Sequence, residues 1–335
     1  MLTVKNQFIK PLTTLAFAEA VNQLGTARRP FLFIVDFKAQ QPLVFPLDEL
    51  DDRDVRFAFP GHSNIKVPSA PLSFPLSLKK HPVPFNTYRK AFDTVMEHIQ
   101  GGNSFLVNLT QPTPIECNLG LEQVFENSCA PYRLWYKDHF TVFSPETFIK
   151  IQDGRIFSYP MKGTISSRIP NASGIILSDL KEKSEHVTIV DLIRNDLSCF
   201  AQEVEVSRFR YLNEVSTQKE KLLQVSSEIT GVLPEGYHKS LGDIISSLLP
   251  AGSISGAPKP KTLEIIHEAE GYDRGYYTGV MGVFDGKHLD SAVMIRFIEQ
   301  QGQQLVYKSG GGITARSTAE QEYQEMIDKV YVPLD

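Results

Sequence analysis

Apolar residues in this chain fall mostly into short blocks, with a few longer stretches at helical spacing. Phe31-Leu-Phe-Ile-Val35 and Arg56-Phe-Ala-Phe59 are too short for helices and rich in aromatic or β-branched side chains, so they predict strands. Similar blocks predict strands at Phe105 to Leu109, Tyr132 to Tyr136, Phe140 to Phe143, Phe148 to Ile151, Thr278 to Phe284, Ser291 to Phe297 and Gln304 to Lys308. Tyr88, Phe92, Val95, Met96 and Ile99 recur at helical spacing and predict a helix over Asn86 to Gln100, stopped by Gly101-Gly102. Further helices are predicted from Ser178, as N-cap, to about Arg194, and over Leu241 to Leu249, Lys261 to Ala269 and Thr318 to Val330. The proline-rich stretch Val67 to Pro84 reads as a surface connection. Runs of strands broken by single helices predict an α+β fold, with two packed antiparallel-rich β-sheets and helices outside.

A chain of 335 residues with 41% hydrophobic residues has ample material for a core. Its net charge of -5 gives no electrostatic reason to expect nucleic acid or an anionic membrane as partner. No stretch approaches the roughly 18 uninterrupted apolar residues of a membrane span. The first residues lack the charged start and apolar run of a signal peptide, so the cytoplasm is the expected location. Cys117, Cys129 and Cys199 have no metal-ligand spacing and read as buried or free thiols.

Candidate chemistry gathers in a few segments. In the last predicted helix, Ser317 and Glu320 suggest a capping box, while Glu322, Glu325 and Lys329 share one stripe. Carboxylates one turn apart suit a hard dication, but an ordinary solvated face is the commoner meaning of such a stripe. Glu182 and Glu185 repeat the spacing in the helix before Asp191, Arg194, Asn195 and Asp196; Asp191 and Arg194 are equally a structural ion pair. Ala251-Gly-Ser-Ile-Ser-Gly-Ala-Pro-Lys259 precedes a helix and lacks P-loop spacing, and Lys308-Ser-Gly-Gly-Gly-Ile313 follows a strand. Each is either a tight turn or a place where backbone N–H groups meet an anion. Lys162, in Tyr159-Pro-Met-Lys-Gly-Thr164, lies between a strand and a flexible turn, where a lysine is ordinarily solvated. It becomes a candidate nucleophile or base if that turn faces the carboxylates.

In this order the segments closely resemble the chorismate-binding enzymes, a family that includes anthranilate synthase component I, aminodeoxychorismate synthase component I, and the isochorismate and salicylate synthases. The carriers are Ser144-Pro-Glu146, Pro160-Met-Lys-Gly-Thr164, Glu185 to Asp196, Ala251 to Lys259, Ile295-Arg296, and Gly310-Gly-Gly-Ile313 leading into Glu322-Tyr-Gln-Glu325. The resemblance runs from about Phe85 to Val330. It implies a short N-terminal β-rich part (1–84) of the same fold and a chorismate-binding catalytic region (85–335). It further implies that Glu185 and Glu325 hold Mg2+, with Glu182 and Glu322 close behind. Arg296, Lys329 and the backbone of Gly311 and Gly312 would clamp a substrate carboxylate. Thr164 and the Gly252-Ser253 to Gly256 turn would line the pocket, and Glu146 would be the acid/base.

Within the family, Lys162 looks like the aminodeoxychorismate type, since anthranilate synthases carry alanine there. Leu106 stands where isochorismate and salicylate synthases have a water-activating lysine, which argues against those activities. The implied partners are chorismate, ammonia and a separate glutamine amidotransferase subunit, since the cysteines have no glutaminase context. Two readings stay beside this one: anthranilate synthase component I, and a catalytically silent chorismate-binding subunit. The chain departs from its relatives at Leu223, usually histidine, and at Ile165-Ser-Ser-Arg168, where arginine often follows the threonine. No motif for a tryptophan effector site is visible, so feedback inhibition by tryptophan is not expected.

Overall fold

A computed structural model describes residues 11–66, 74–216 and 221–334. Among them, two nine-stranded antiparallel sheets pack face to face, with helices against them. The first sheet runs, edge to edge, through Met161–Ser166, Lys221–Val232, Arg155–Ser158, Thr147–Gln152, Leu289–Val293, Val280–Phe284, Phe31–Val35 and Leu43–Pro46, with Gln202–Ser216 also paired to Lys221–Val232. The second runs through Gly256–Ala257, Leu106–Cys117, Gln304–Ile313, Phe297–Gln301, Phe140–Ser144, Tyr132–Tyr136, Val55–Phe59 and His62–Ser63, with Leu78–Lys80 also paired to Leu106–Cys117. The α+β expectation with two sheets therefore holds, and the segments before Phe85 contribute strands to both sheets.

The wholly buried Phe31–Val35 strand shows why its apolar block is continuous rather than alternating. Phe31, Phe33 and Val35 face a core shared with Phe17 and Val21 of the Thr14–Thr26 helix, while Leu32 and Ile34 face the second sheet and meet Phe57, Leu134 and Val142. Each strand residue therefore has a packed face, and successive side chains serve opposite layers. The Thr14–Thr26 helix was not anticipated from the sequence pattern. Its buried apolar side chains are Phe17, Ala18 and Val21, with Leu24 packed partly against the same core.

Several local expectations need correction. The helix expected from Ser178 spans Leu180–Ser198 and is capped by Asp179, whose side chain accepts from Glu182 N; Ser178 closes a separate short helix, Ala172–Ser178. A carboxylate at that place also complements the positive end of the helix. Ser291 to Phe297 is not one strand but parts of two, separated at Arg296, which takes a left-handed φ of 54°. Asp191 and Arg194 form an exposed ion pair at 2.7 Å. Of the proline-rich stretch, residues 67–73 lie outside the described ones. Among the described residues no helix is long and apolar enough to cross a membrane. Of the cysteines, Cys117 is half-buried and Cys129 and Cys199 are exposed.

Candidate active site

The site is built on the seam between the two sheets. Lys162 belongs to the Met161–Ser166 edge strand, not to a free turn. Its pairing with Lys221–Val232 shifts register between Lys162 and Thr164, and Gly163 at the shift has φ 78°. A bulge of this kind re-aims the side chain beside it. Lys162 Nζ lies 3.7 Å from Glu185 Oε2. It also stands 3.3 Å from where a side chain on Gly312, in the other sheet, would begin. Thr164, past the bulge, is exposed.

Two helices bring in the carboxylates. On Leu180–Ser198, Glu185 is buried and its Oε2 comes within 3.5 Å of a Cβ placed on Gly312, while Glu182 Oε2 comes within 3.3 Å of one placed on Gly163. On Ala319–Asp328, Glu322 is 2% exposed and accepts from Ser317 Oγ at 2.6 Å. That contact corrects the capping-box expectation: Ser317 serves Glu322, Thr318 is the N-cap residue, and it makes no side-chain cap bond. It also removes the solvated-face reading for Glu322, although the Glu325 side chain stays about half exposed. A Cβ on Gly311 would lie 3.3 Å from Glu325 Oε1, 3.4 Å from Glu322 Oε2 and 3.6 Å from Lys329 Nζ. Lys329 Nζ lies 2.6 Å from Glu325 Oε1 and donates to Gly310 O at 2.8 Å.

The glycine run is therefore not a turn. It is the end of the Gln304–Ile313 strand, paired with Leu106–Cys117, and consecutive glycines meet different carboxylates. Any side chain at Gly311 or Gly312 would fill the space between strand and helices. Beside Lys162, Leu106 Cδ1 lies 2.9 Å from the Cβ position of Gly312, and Leu106 is 2% exposed.

Glu146 follows the Phe140–Ser144 strand and accepts from Ser253 Oγ at 2.5 Å. Burial pushes its carboxyl above the ordinary range; the Ser253 hydrogen bond and the charges of Lys162, Lys329 and Arg296 pull the other way without overcoming it. Those opposing charges place three cations of the predicted site around one acid. Arg296 Nη1 donates to Lys329 O at 2.7 Å, and the guanidinium lies 4.7 Å over the Tyr331 ring. Its buried Nε has no hydrogen-bond partner among the described residues.

Ser253 sits on the one-turn helix Gly252–Ser255, which leads into Gly256–Ala257. Gly256 has φ 127°, and a Cβ there would fall 1.9 Å from Leu106 O. Gly256→Ala is expected to destabilise the protein by about 3 kcal/mol, through backbone strain plus a clash with main chain that cannot move aside. Urea titration of the two proteins checks this. The segment is also tied down from below. Arg274, buried against Glu270 at 2.6 Å, donates to Ile254 O at 3.1 Å and to Asn108 O at 2.6 Å.

The sequence reading overlooked His186. It is 1% exposed, and its Nε2 lies 2.6 Å from Ser227 Oγ, a residue 41 positions away. Burial first, then the charges of Arg210 and Lys162, lower its pKa to about 4, so it is neutral at physiological pH. Its place next to Glu185 was the available signal; nothing local pointed to Ser227.

The donor chemistry of the four glutamates fits magnesium, which prefers carboxylate oxygens and keeps water or substrate in the rest of its shell. Among the described residues, however, no three acidic, histidine or cysteine side chains are gathered tightly enough to hold a metal on their own. Two helices each offering a carboxylate against the glycine run fit a site completed by other oxygens.

Residues 10–335 match the family described as chorismate binding enzyme. The chain belongs to that family. It is 50% identical over 319 residues to a PabA-like protein of Haemophilus influenzae, covering 95% of this chain and 97% of that one. It is 33% identical to aminodeoxychorismate synthase component 1 of Salmonella typhimurium, over 72% of this chain and 60% of the relative. Among solved structures, anthranilate synthase component I of Streptococcus pneumoniae superposes with a TM-score of 0.65 at 27% identity, covering 76% of this chain and 59% of that one. This chorismate-binding enzyme thus shares its fold with anthranilate synthase component I.

Proposed function

We propose that this chain is an aminodeoxychorismate synthase component I, which converts chorismate and ammonia to 4-amino-4-deoxychorismate. The observation that carries the reading is Lys162 Nζ, held 3.7 Å from Glu185 and within the electrostatic reach of Glu146. A lysine so placed can act on bound substrate. The Arg296 guanidinium, and Lys329 beside the glycine backbone, suit a substrate carboxylate.

In this sequence the Lys162 amine adds to C2 of the ring through its nitrogen lone pair. The ring electrons shift, the C4–O bond breaks, and the leaving hydroxyl takes the Glu146 proton and departs as water. Ammonia then adds at C4, the electrons return, and the C2–N bond to Lys162 breaks. The ionised Glu146 takes up a proton from the new amine, restoring the acid. Its raised pKa suits both roles, because a carboxyl held above its ordinary range by burial keeps its proton more readily and takes it back more readily. Magnesium held by Glu185 and Glu325, with Glu182 and Glu322 in support, would neutralise the ring carboxylate and draw electron density from the ring. Leu106, apolar and packed against Gly312, offers no base to activate water there, which disfavours an isochorismate outcome.

Ammonia would come from a separate glutamine amidotransferase or from solution, in the cytoplasm. Incubation with chorismate, ammonium and magnesium is expected to give 4-amino-4-deoxychorismate without pyruvate, and chelation by EDTA to stop it. Pyruvate with a fluorescent ortho-amino acid would instead identify an anthranilate synthase. No turnover of chorismate under these conditions would favour a silent binding subunit.

A further inference from the structure

Glu146 also borders a small recess to which the reaction sequence above gives no task. The recess holds about 20 Å3 and is bounded by Glu146, Ser158, Asp196, Ser253, Ile193 and Leu197, among others. That is room for a single water-sized molecule.

Its lining is selective. Two acid side chains face it, and no lysine, arginine or histidine is among its lining residues. Asp196 is committed to Lys259, 2.6 Å away, and Ser253 Oγ to Glu146. Ser158 Oγ donates to Phe148 O at 3.1 Å, which leaves its lone pairs to accept. Once Glu146 has given its proton to the leaving hydroxyl, its carboxylate accepts several hydrogen bonds and keeps capacity beyond the one from Ser253. The wall therefore offers acceptors to a donor-rich guest with one heavy atom. Ammonia brings three N–H groups, against two O–H groups for water. Ile193, Leu197 and Leu248 supply an apolar side that discourages a hydrated ion and favours the neutral molecule. The neutral form is also the one with a lone pair to react.

Building on the C4-amination reading, we propose that this recess is the ammonia site, where N–H groups are donated to Glu146 and Ser158 before the nitrogen meets the substrate. Ile193, which comes from the Leu180–Ser198 helix and is outside the acid, cation and metal sets, provides the test in two directions. Initial rates are measured against ammonia at saturating chorismate, and against chorismate at saturating ammonia. Ile193→Phe fills the recess and is expected to raise the KM for ammonia about tenfold while the KM for chorismate stays within about twofold. Ile193→Ala enlarges it and is expected to admit methylamine, giving an N-methylated product that the parent protein does not form. Either shift supports the site, and the second decides alone if the phenylalanine variant does not fold. An unchanged KM for ammonia in folded Ile193→Phe, with no methylated product from Ile193→Ala, overturns it while leaving C4 amination standing. Absence of any aminated product from the parent overturns both.

Discussion

Lys162→Ala is expected to lose C4 amination by roughly 10³-fold or more, the scale of removing a nucleophile from a covalent route. Chorismate should still bind, because the groups assigned to its carboxylate, Arg296 and Lys329, are on other elements. The variant also relieves little strain: Lys162 lies on an edge strand and its Nζ is 3.7 Å from its carboxylate neighbour, longer than a hydrogen bond. Fold stability should therefore change little. The decisive measurement is a mass spectrum of protein mixed with chorismate and magnesium without ammonia. The parent should carry an adduct on Lys162 and the alanine variant none. A variant that aminates as fast as the parent would rule out covalent catalysis by this residue.

The second large effect is expected at Glu146. Glu146→Gln keeps the shape and the contact with Ser253 but cannot give or take a proton, so turnover should fall by about 10² to 10⁴-fold. Stability should move the other way. Burial raises the pKa of Glu146 in the folded protein, so folding favours its protonated form. Its contribution to stability is present in full below the unfolded value, about 4.3, and is lost as pH rises through the folded value. Glutamine imitates the protonated form. Urea midpoints should thus coincide near pH 4, while at pH 8 the glutamine variant should be the more stable protein. A parent protein that is more stable than the variant at pH 8 would show that the neighbouring cations outweigh burial.

These two residues differ in how far the sequence announced them. Glu146 and the glutamate pairs were legible as acids in recognisable blocks, and the helical spacing of Glu322, Glu325 and Lys329 correctly put them on one face. What that face met was not legible. Glu322 turned out buried and bonded to Ser317, because the Ala319–Asp328 helix packs against a glycine strand that leaves room for it. The glycine run read either as a tight turn or as backbone that meets an anion; cross-strand pairing with Leu106–Cys117 makes it a strand. The Ser178 cap failed for a related reason. Serine and aspartate are both good N-caps, and the choice of Asp179 was made by the short helix that ends at Ser178. His186 and Ser227 were missed because a 2.6 Å contact across 41 positions leaves no periodic trace.

The sequence by itself determined the local elements with strong periodicity, the α+β class, and the ordered motifs that mark a chorismate-binding enzyme. Each of those depends on neighbours in the chain, through side-chain spacing and backbone preference. Only the tertiary structure decided that Lys162 is more than a solvated lysine. Its strand belongs to one sheet, Gly312 to the other, and Glu185 to a helix between them in the chain. Their meeting depends on how the two sheets pack, and packing is a property of the assembled core rather than of any segment.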